Sequence, residues 1–306
     1  MKPKVSGVIS KYFGYCPPKS SVTPSMPGGH WFDSAGMTHG SERMRFVDGF
    51  HSVATLAFVF GSLVVSLRLL ALAYRTREAP ELLLGSALLC TAVLGYGVLI
   101  ADLVVRGGLQ VAPRDVPPLA VVLAGVGRFL HNVGVSLFLL FVVQVFRRET
   151  PWAWGLASVL ALLLWGGFVV GAAQGSLRMD QVGSAAWFCE YTVVWTYQLW
   201  SMLESYRYWG LLRRRAALGL ADPMVMNRFF LWGTGSLFST LAIWTACIPY
   251  AFMNDLTLIV KITPVVRIVT GALGLVCVSC LLFAFLPPAW YRRHVNASAS
   301  ALEGVR

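Results

Sequence analysis

Polar and charged side chains stand inside long apolar stretches of this chain, where lipid would offer them no partners. Arg128, His131 and Asn132 lie at i, i+3 and i+4, and therefore share one face of a helix. Glu190 and Tyr197 lie at i and i+7, and share one face of another. Since a lipid-facing charge is costly, we expect these two polar faces to point at each other inside a bundle.

The positive and negative charges in these stretches do not balance, and the excess of positive charge indicates which ligands a site could bind. Arg128 and Arg267 are expected near the middle of their spans, Glu190 in the outer half, and Asp102 near the outer edge. Residual positive charge would favour an anionic or carboxylate-bearing ligand in a cavity open to the outer side. The candidate ligand-binding residues are Arg128, His131, Asn132, Glu190, Tyr197, Arg267 and Asp102. Alternatively, Glu190 neutralises one arginine and Asp102 the other, and the charges only hold the bundle together.

Other site chemistry is not favoured by the residue pattern. His51 and His131 differ in expected depth by about 10 Å, so they do not match as haem ligands on two helices. Cys277 and Cys280 have redox spacing but lie in a continuous apolar stretch, which favours core packing. Motifs for phosphate binding, nucleophilic catalysis and zinc are missing from the sequence. We therefore predict no cofactor and no metal, and an enzyme is not the favoured interpretation.

Composition indicates what must position these residues. The chain has 306 residues, of which 57% are hydrophobic and only 13% charged, with a mean hydropathy of +0.66. A soluble domain is closer to one quarter charged, so the balance points to the bilayer as solvent. The net charge of +11 does not indicate nucleic-acid binding, because the arginines stand in short runs between apolar stretches.

The apolar stretches predict an all-α, polytopic membrane protein with a seven-transmembrane-helix bundle. Each stretch is near the ~20 residues that a spanning helix needs. The predicted spans are 49–74, 82–105, 118–146, 152–174, 184–209, 228–252 and 257–286. Prolines at Pro118, Pro151 and Pro223 predict helix starts, with Asp222 as a cap for the last of these.

Arginine distribution predicts the orientation. Most loop arginines fall on one side of the predicted bundle: Arg75, Arg77, Arg147, Arg148, Arg207, Arg213, Arg214, Arg215, Arg228, Arg292, Arg293 and Arg306. The interhelical loops of the other side carry Arg106, Arg114 and Arg178. The arginine-rich side is therefore expected in the cytoplasm, with the N-terminus outside and the C-terminus cytoplasmic.

The predicted domain organisation has three parts. Residues 1–46 are rich in Pro, Gly and Ser and are expected to be disordered. Residues 47–291 form the transmembrane domain, and 292–306 a short cytoplasmic tail. Lysines before residue 20 would have to be exported, so an alternative is that the native chain starts at Met44 or Met37.

Two short segments carry a resemblance. The sequences RTREAPELLLG at 75–85 and LGLADPMVMNRFFLWG at 218–233 resemble cytoplasm-edge segments of uncharacterised bacterial multi-span membrane proteins. In architecture alone the chain is similar to rhodopsins and G-protein-coupled receptors. It lacks their motifs: Lys261 is too shallow for a retinal Schiff base, and Arg147 follows Phe146 without the receptor-type acidic–arginine pair.

These observations predict a sensor or ligand-binding module in a bacterial cytoplasmic (inner) membrane. The ligand would be small and anionic or amphiphilic, and would enter from the outer side. The cytoplasmic readout would be the loop with Arg213, Arg214 and Arg215, acting on a separate partner protein. The alternatives are a small-molecule transporter, a membrane-enzyme subunit, or a purely structural membrane subunit.

Overall fold

The fold is all-α in the part of the chain that the structure describes. This computed structural model describes residues 34–105, 117–177, 184–216, 218–252 and 256–303. The chain divides into residues 1–41 and 42–306, and the contacts below lie within the second unit. In order, the elements are α1 (Ser34–Thr76), α2 (Ala79–Leu88), a π-helical segment (Leu89–Gly95), α3 (Tyr96–Val105), α4 (Pro118–Phe146), α5 (Pro151–Gln174), α6 (Ala185–Ala216), α7 (Pro223–Phe252), α8 (Leu256–Phe285) and α9 (Ala289–Glu303).

The helix boundaries follow the turn and cap chemistry of the sequence. Pro118, Pro151 and Pro223 each open a helix, as predicted, because the first N–H groups of a helix have no intrahelical partner. The carboxylate of Asp222 accepts a hydrogen bond from the Met224 backbone N–H at 2.8 Å, which confirms the predicted cap. At the other end of α5, Gly175 adopts a left-handed conformation with φ of 63°, which a glycine adopts without steric cost.

Two predicted boundaries differ from the structure. The segment 1–46, expected to be disordered, is helical from Ser34 onward, and its earlier residues lie outside the described part. An apolar span that is already helical extends cheaply into preceding residues, because propagation costs far less than nucleation. The expected tail after residue 291 is likewise helical to Glu303, in α9.

Among the residues that the structure describes, six helical segments are long and apolar enough to cross a membrane, as expected for a multi-pass membrane protein. They are Phe46–Thr76, Ala79–Asp102, Pro118–Phe146, Pro151–Gln174, Pro223–Cys247 and Lys261–Phe285. The predicted span 184–209 forms α6 but is not among the six.

Several polar residues of α6 face α7. Among the described residues, four side-chain hydrogen bonds join the two helices: Gln198 to Ser239 at 2.9 Å, Ser201 to Trp232 at 2.9 Å, Ser201 to Ser236 at 3.4 Å, and Tyr206 to Thr234 at 3.1 Å. Small residues and aromatic rings join α6 to the full length of α5, from Trp200 beside Trp152 to Ala186 beside Gly171. The helix α6 therefore lies antiparallel to both neighbours.

Helices α4 and α6 run parallel along a shared seam. Three contacts follow one another in the same chain direction: Arg128 with Glu190, Phe138 with Tyr197, and Arg147 with Glu204. From the first to the last, α4 advances about 28 Å at 1.5 Å per residue, close to the ~30 Å thickness of a hydrocarbon core. We call these contacts the α4–α6 seam.

The α4 helix has neighbours on several sides and is the most internal element. Phe138 and Phe141 of α4 both contact the Trp232 ring of α7. On the opposite side, a Cβ atom at Gly134 would lie 2.6 Å from the Thr91 backbone N of the π-helical segment. Only a glycine allows two helix backbones to approach this closely.

The first and last of these apolar helices pack against each other. Gly271 of α8 lies against Phe50 and Ala54 of α1, and Gly61 of α1 lies against Val278 of α8. Both contact points advance in the same chain direction, so α1 and α8 are parallel. Consecutive helices also pack pairwise from α2 to α8, and the α1–α8 contact closes the bundle.

Candidate functional site

Arg128 and Glu190 form a buried ion pair between α4 and α6. Arg128 is 5% exposed, and its Nη1 donates a hydrogen bond to Oε2 of Glu190. Its Nε donates to the backbone carbonyl of Leu177 at 3.1 Å, just beyond the end of α5. Three elements therefore meet at one guanidinium group. Such charge-assisted hydrogen bonds are stronger than neutral ones and fix the geometry of the groups that make them.

His131 lies one helical turn from Arg128, on the same side of α4. Its Nε2 is 3.7 Å from Oε1 of Glu190, which is within reach of an ion pair but beyond hydrogen-bond distance. The Tyr96 ring of α3 packs edge-on against the imidazole, with ring centres 5.7 Å apart. Gly95 permits this approach, since a Cβ there would lie 3.1 Å from the His131 Cα. A π-helical segment is a common feature beside functional sites.

Asn132 completes a small cavity beside the ion pair, which we call the Arg128 cavity. Its lining residues are Arg128, Asn132, Leu164, Phe168, Ser176, Leu177, Ala186, Trp187 and Glu190. The cavity measures about 10 Å³, the room that one water molecule needs. Asn132 is 2% exposed, and its Oδ1 makes no hydrogen bond within the described part of the chain. A buried acceptor without a partner indicates a missing donor at this place.

The structure brings together four of the seven candidate residues: Arg128, His131, Asn132 and Glu190. The other three lie elsewhere. Tyr197 stacks on Phe138 in the hydrophobic core, with ring centres 5.5 Å apart. Asp102 is fully buried in α3, outside the lining of the Arg128 cavity.

Arg267 belongs to a different contact. It forms an ion pair with Asp48 of α1, and the two side chains are 36% and 55% exposed. This partner differs from the Glu190 or Asp102 carboxylate considered from the sequence. The difference has a physical reason: α8 packs against α1, with Gly271 beside Phe50 and Ala54. Arg267 is not among the residues that line the Arg128 cavity.

A second buried ion pair closes the opposite end of the α4–α6 seam. Nε of Arg147 donates to Oε1 of Glu204 at 2.7 Å, and Nη1 of Arg207 lies 3.6 Å from Oε2 of the same carboxylate. The Arg147 guanidinium also lies 5.5 Å from the centre of the Trp152 ring. Sequence reasoning assigned Glu204 no role. Its spacing of seven residues from Tyr197, and of fourteen from Glu190, places it on their helical face and could have indicated a contact with the same neighbouring helix.

The site has the N–H donors of Arg128 and the Oδ1 acceptor of Asn132. It also has the Glu190 carboxylate, which is already paired with Arg128. Donors and acceptors of this kind can form hydrogen bonds with a small polar group. Among the described residues, three or more His, Cys, Asp or Glu side chains do not cluster at metal-binding distances. The chain matches no protein-family model, no curated protein and no solved structure.

Proposed function

We propose that α6 is the seventh membrane span. Supporting this, α6 lies beside the whole of α5, which is itself apolar and long enough to cross. Two of its polar residues, Gln198 and Ser201, bond to α7 instead of facing lipid. The arginine-rich loops then lie in the cytoplasm and the N-terminus outside. The segments at 75–85 and 218–233 favour a bacterial cytoplasmic membrane.

We infer that the protein is a sensor that binds a small anion, or the anionic head of an amphiphile, at Arg128. The observation that carries this proposal is a buried arginine paired with Glu190, which shares a cavity with Oδ1 of Asn132, an acceptor that has no partner among the described residues. In this interpretation Glu190 occupies the anion site at rest. A ligand takes its place on Arg128, and a ligand that also carries an O–H or N–H group would donate from it to Oδ1 of Asn132.

Displacement of Glu190 would release one end of the α4–α6 seam. The Phe138–Tyr197 stack and the Arg147–Glu204 pair would still join the two helices. The outer end of α6 would then move relative to its cytoplasmic end, where Arg213, Arg214 and Arg215 face a partner protein. The free energy available for this movement is the difference in ligand affinity between the two states.

Binding by the full-length protein in lipid nanodiscs tests the proposal. The probes are chloride, formate, acetate and octanoate, and saturable binding is measured by calorimetry. We expect Glu190→Gln to tighten binding of the best probe at least tenfold, about 1.4 kcal/mol, because the ligand no longer competes with a carboxylate. Arg128→Gln should abolish binding.

The Arg147→Gln variant is the matched control, because it breaks the other ion pair of the same seam. It should bind the probe with wild-type affinity. Equal or weaker binding by Glu190→Gln would contradict the displacement model. Flux of a bound probe into liposomes would identify a transporter instead.

A purely structural membrane subunit is the second candidate. It is favoured by the small cavity, which has room for one water molecule, and by the bonds of Arg128 to Glu190 and Leu177. In that case none of the probes would show saturable binding to any variant.

A further inference from the structure

The start of α9 is fixed against the start of α7 by two hydrogen bonds. The Asn227 amide donates to the Tyr291 hydroxyl at 3.0 Å, and the same hydroxyl lies in position to donate to the Asn227 carbonyl oxygen at 3.3 Å. A hydroxyl can donate and accept at once, so one amide and one phenol bond reciprocally. The contact holds the arginines that follow each partner, Arg228 and Arg292, at one corner of the bundle.

The same corner has an exposed aromatic ring at the edge of the apolar part of α8. Trp290 is 59% exposed, and its ring centre lies 5.9 Å from that of Phe283. Phe283 is in the last turn of the apolar segment Lys261–Phe285. Exposed tryptophans at the ends of spanning helices mark the interface between hydrocarbon and headgroups.

Three arginines lie next in sequence to the Asn227–Tyr291 contact, Arg228 after Asn227 and Arg292 and Arg293 after Tyr291. Arg228, Arg292 and Arg293 are all exposed, and none of them forms an ion pair with a carboxylate in the described part of the chain. Guanidinium groups bind phosphate oxygens through parallel hydrogen bonds. We define the α7–α9 corner as Arg228, Trp290, Arg292 and Arg293.

We propose that the α7–α9 corner binds the headgroup of an anionic phospholipid. The arginines would contact the phosphodiester, while Trp290 lies between the glycerol region and the acyl chains. The amphipathic helix α9 carries both tryptophan and arginine, and helices of this composition bind along the membrane surface. The occupant is a lipid because the ring that borders the arginines sits at the end of an apolar span. This site is independent of the Arg128 cavity and of any ligand that binds there.

Lipid retention by the full-length protein tests this proposal. The protein is reconstituted in mixed phosphatidylcholine and phosphatidylglycerol, extracted, and analysed by native mass spectrometry. We expect wild-type protein to retain phosphatidylglycerol preferentially. The double substitution Arg292→Gln and Arg293→Gln should reduce that retention at least fivefold, with an unchanged melting temperature in phosphatidylcholine alone.

The matched control replaces two other exposed arginines of the same predicted side, Arg214 and Arg215, by Gln. It removes the same charge from the end of α6 and should retain phosphatidylglycerol as wild type does. Equal loss in the control would overturn the proposal, since it would show a general effect of charge. Full retention of phosphatidylglycerol by the Arg292/Arg293 variant would also overturn it. So would an increase in the melting temperature with inorganic phosphate equal to the increase with phosphatidylglycerol.

Discussion

At the residue scale, burial of Arg128 and Glu190 is tolerable only because each neutralises the other. Moving one unpaired charge from water into a low-dielectric interior costs several kcal/mol even after relaxation. The Leu177 backbone carbonyl also accepts a hydrogen bond from Arg128, which offsets part of that cost. Either side chain alone would leave an uncompensated charge in the bundle.

We therefore predict strong energetic coupling between these two residues. Arg128→Gln or Glu190→Gln alone should lower the free energy of unfolding by about 3–5 kcal/mol, because a buried charge loses its partner. The double variant should lose clearly less than the sum of the two single losses. Reversible unfolding in detergent micelles measures all four proteins, and additive losses would contradict the pairing.

Sequence spacing was enough to place Arg128, His131 and Asn132 on one face, and to identify Glu190 as a carboxylate that could pair with Arg128 or Arg267, although Glu190 was expected at a shallower depth than Arg128. It was not enough for Arg267. Depth along a helix can be counted from the sequence, but the neighbour of a given face depends on the order in which the helices pack. That order placed α8 beside α1, so Asp48 became the partner of Arg267.

At the element scale, glycines set the distance between α4 and the π-helical segment. A Cβ at Gly134 would meet the Thr91 backbone N at 2.6 Å and the Ala87 carbonyl oxygen at 2.8 Å. Both are backbone atoms, which cannot rotate away as a side chain can. The close approach also positions His131, which packs against Gly95 of the same segment.

Gly134→Ala should destabilise the protein by about 1–3 kcal/mol, because the added methyl group forces the helices apart. Gly155→Ala is the matched control, since a Cβ at Gly155 would have no atom within 4 Å. It should be neutral or slightly stabilising, because alanine favours helix more than glycine. Thermal unfolding of the two variants measures the difference, and equal melting temperatures would refute this account of the contact.

The sequence predicted most helix starts but not the π-helical segment. Prolines and the Asp222 cap mark starts whatever the tertiary structure. The π-helical segment Leu89–Gly95 lies in a run of almost continuous apolar residues, where periodicity cannot distinguish one helical pitch from another. Its wider turn depends on packing against α4, which involves residues far apart in the sequence.

At the scale of the whole molecule, the number of membrane spans depends on whether α6 crosses the membrane. The sequence predicts seven apolar spans, and among the described residues six of them have the hydropathy of a membrane span. A hydropathy average treats a polar residue that faces a neighbouring helix as if it faced lipid, and α6 has such residues, which bond to Ser239, Trp232 and Thr234. With α6 as a span, both ion pairs of the α4–α6 seam lie in one bundle, near its two ends.

Cysteine accessibility on the two sides of α6 tests this claim most directly. Gln174 and Leu218 flank α6 and are both exposed, so Gln174→Cys and Leu218→Cys are made separately in the full-length chain without its native cysteines. We predict that a membrane-impermeant maleimide labels Gln174→Cys in intact cells, and Leu218→Cys only after permeabilisation. Labelling of both positions from the same side would show that α6 does not cross the membrane. That result would contradict both the seven-span bundle and the proposed role of the α4–α6 seam in signalling.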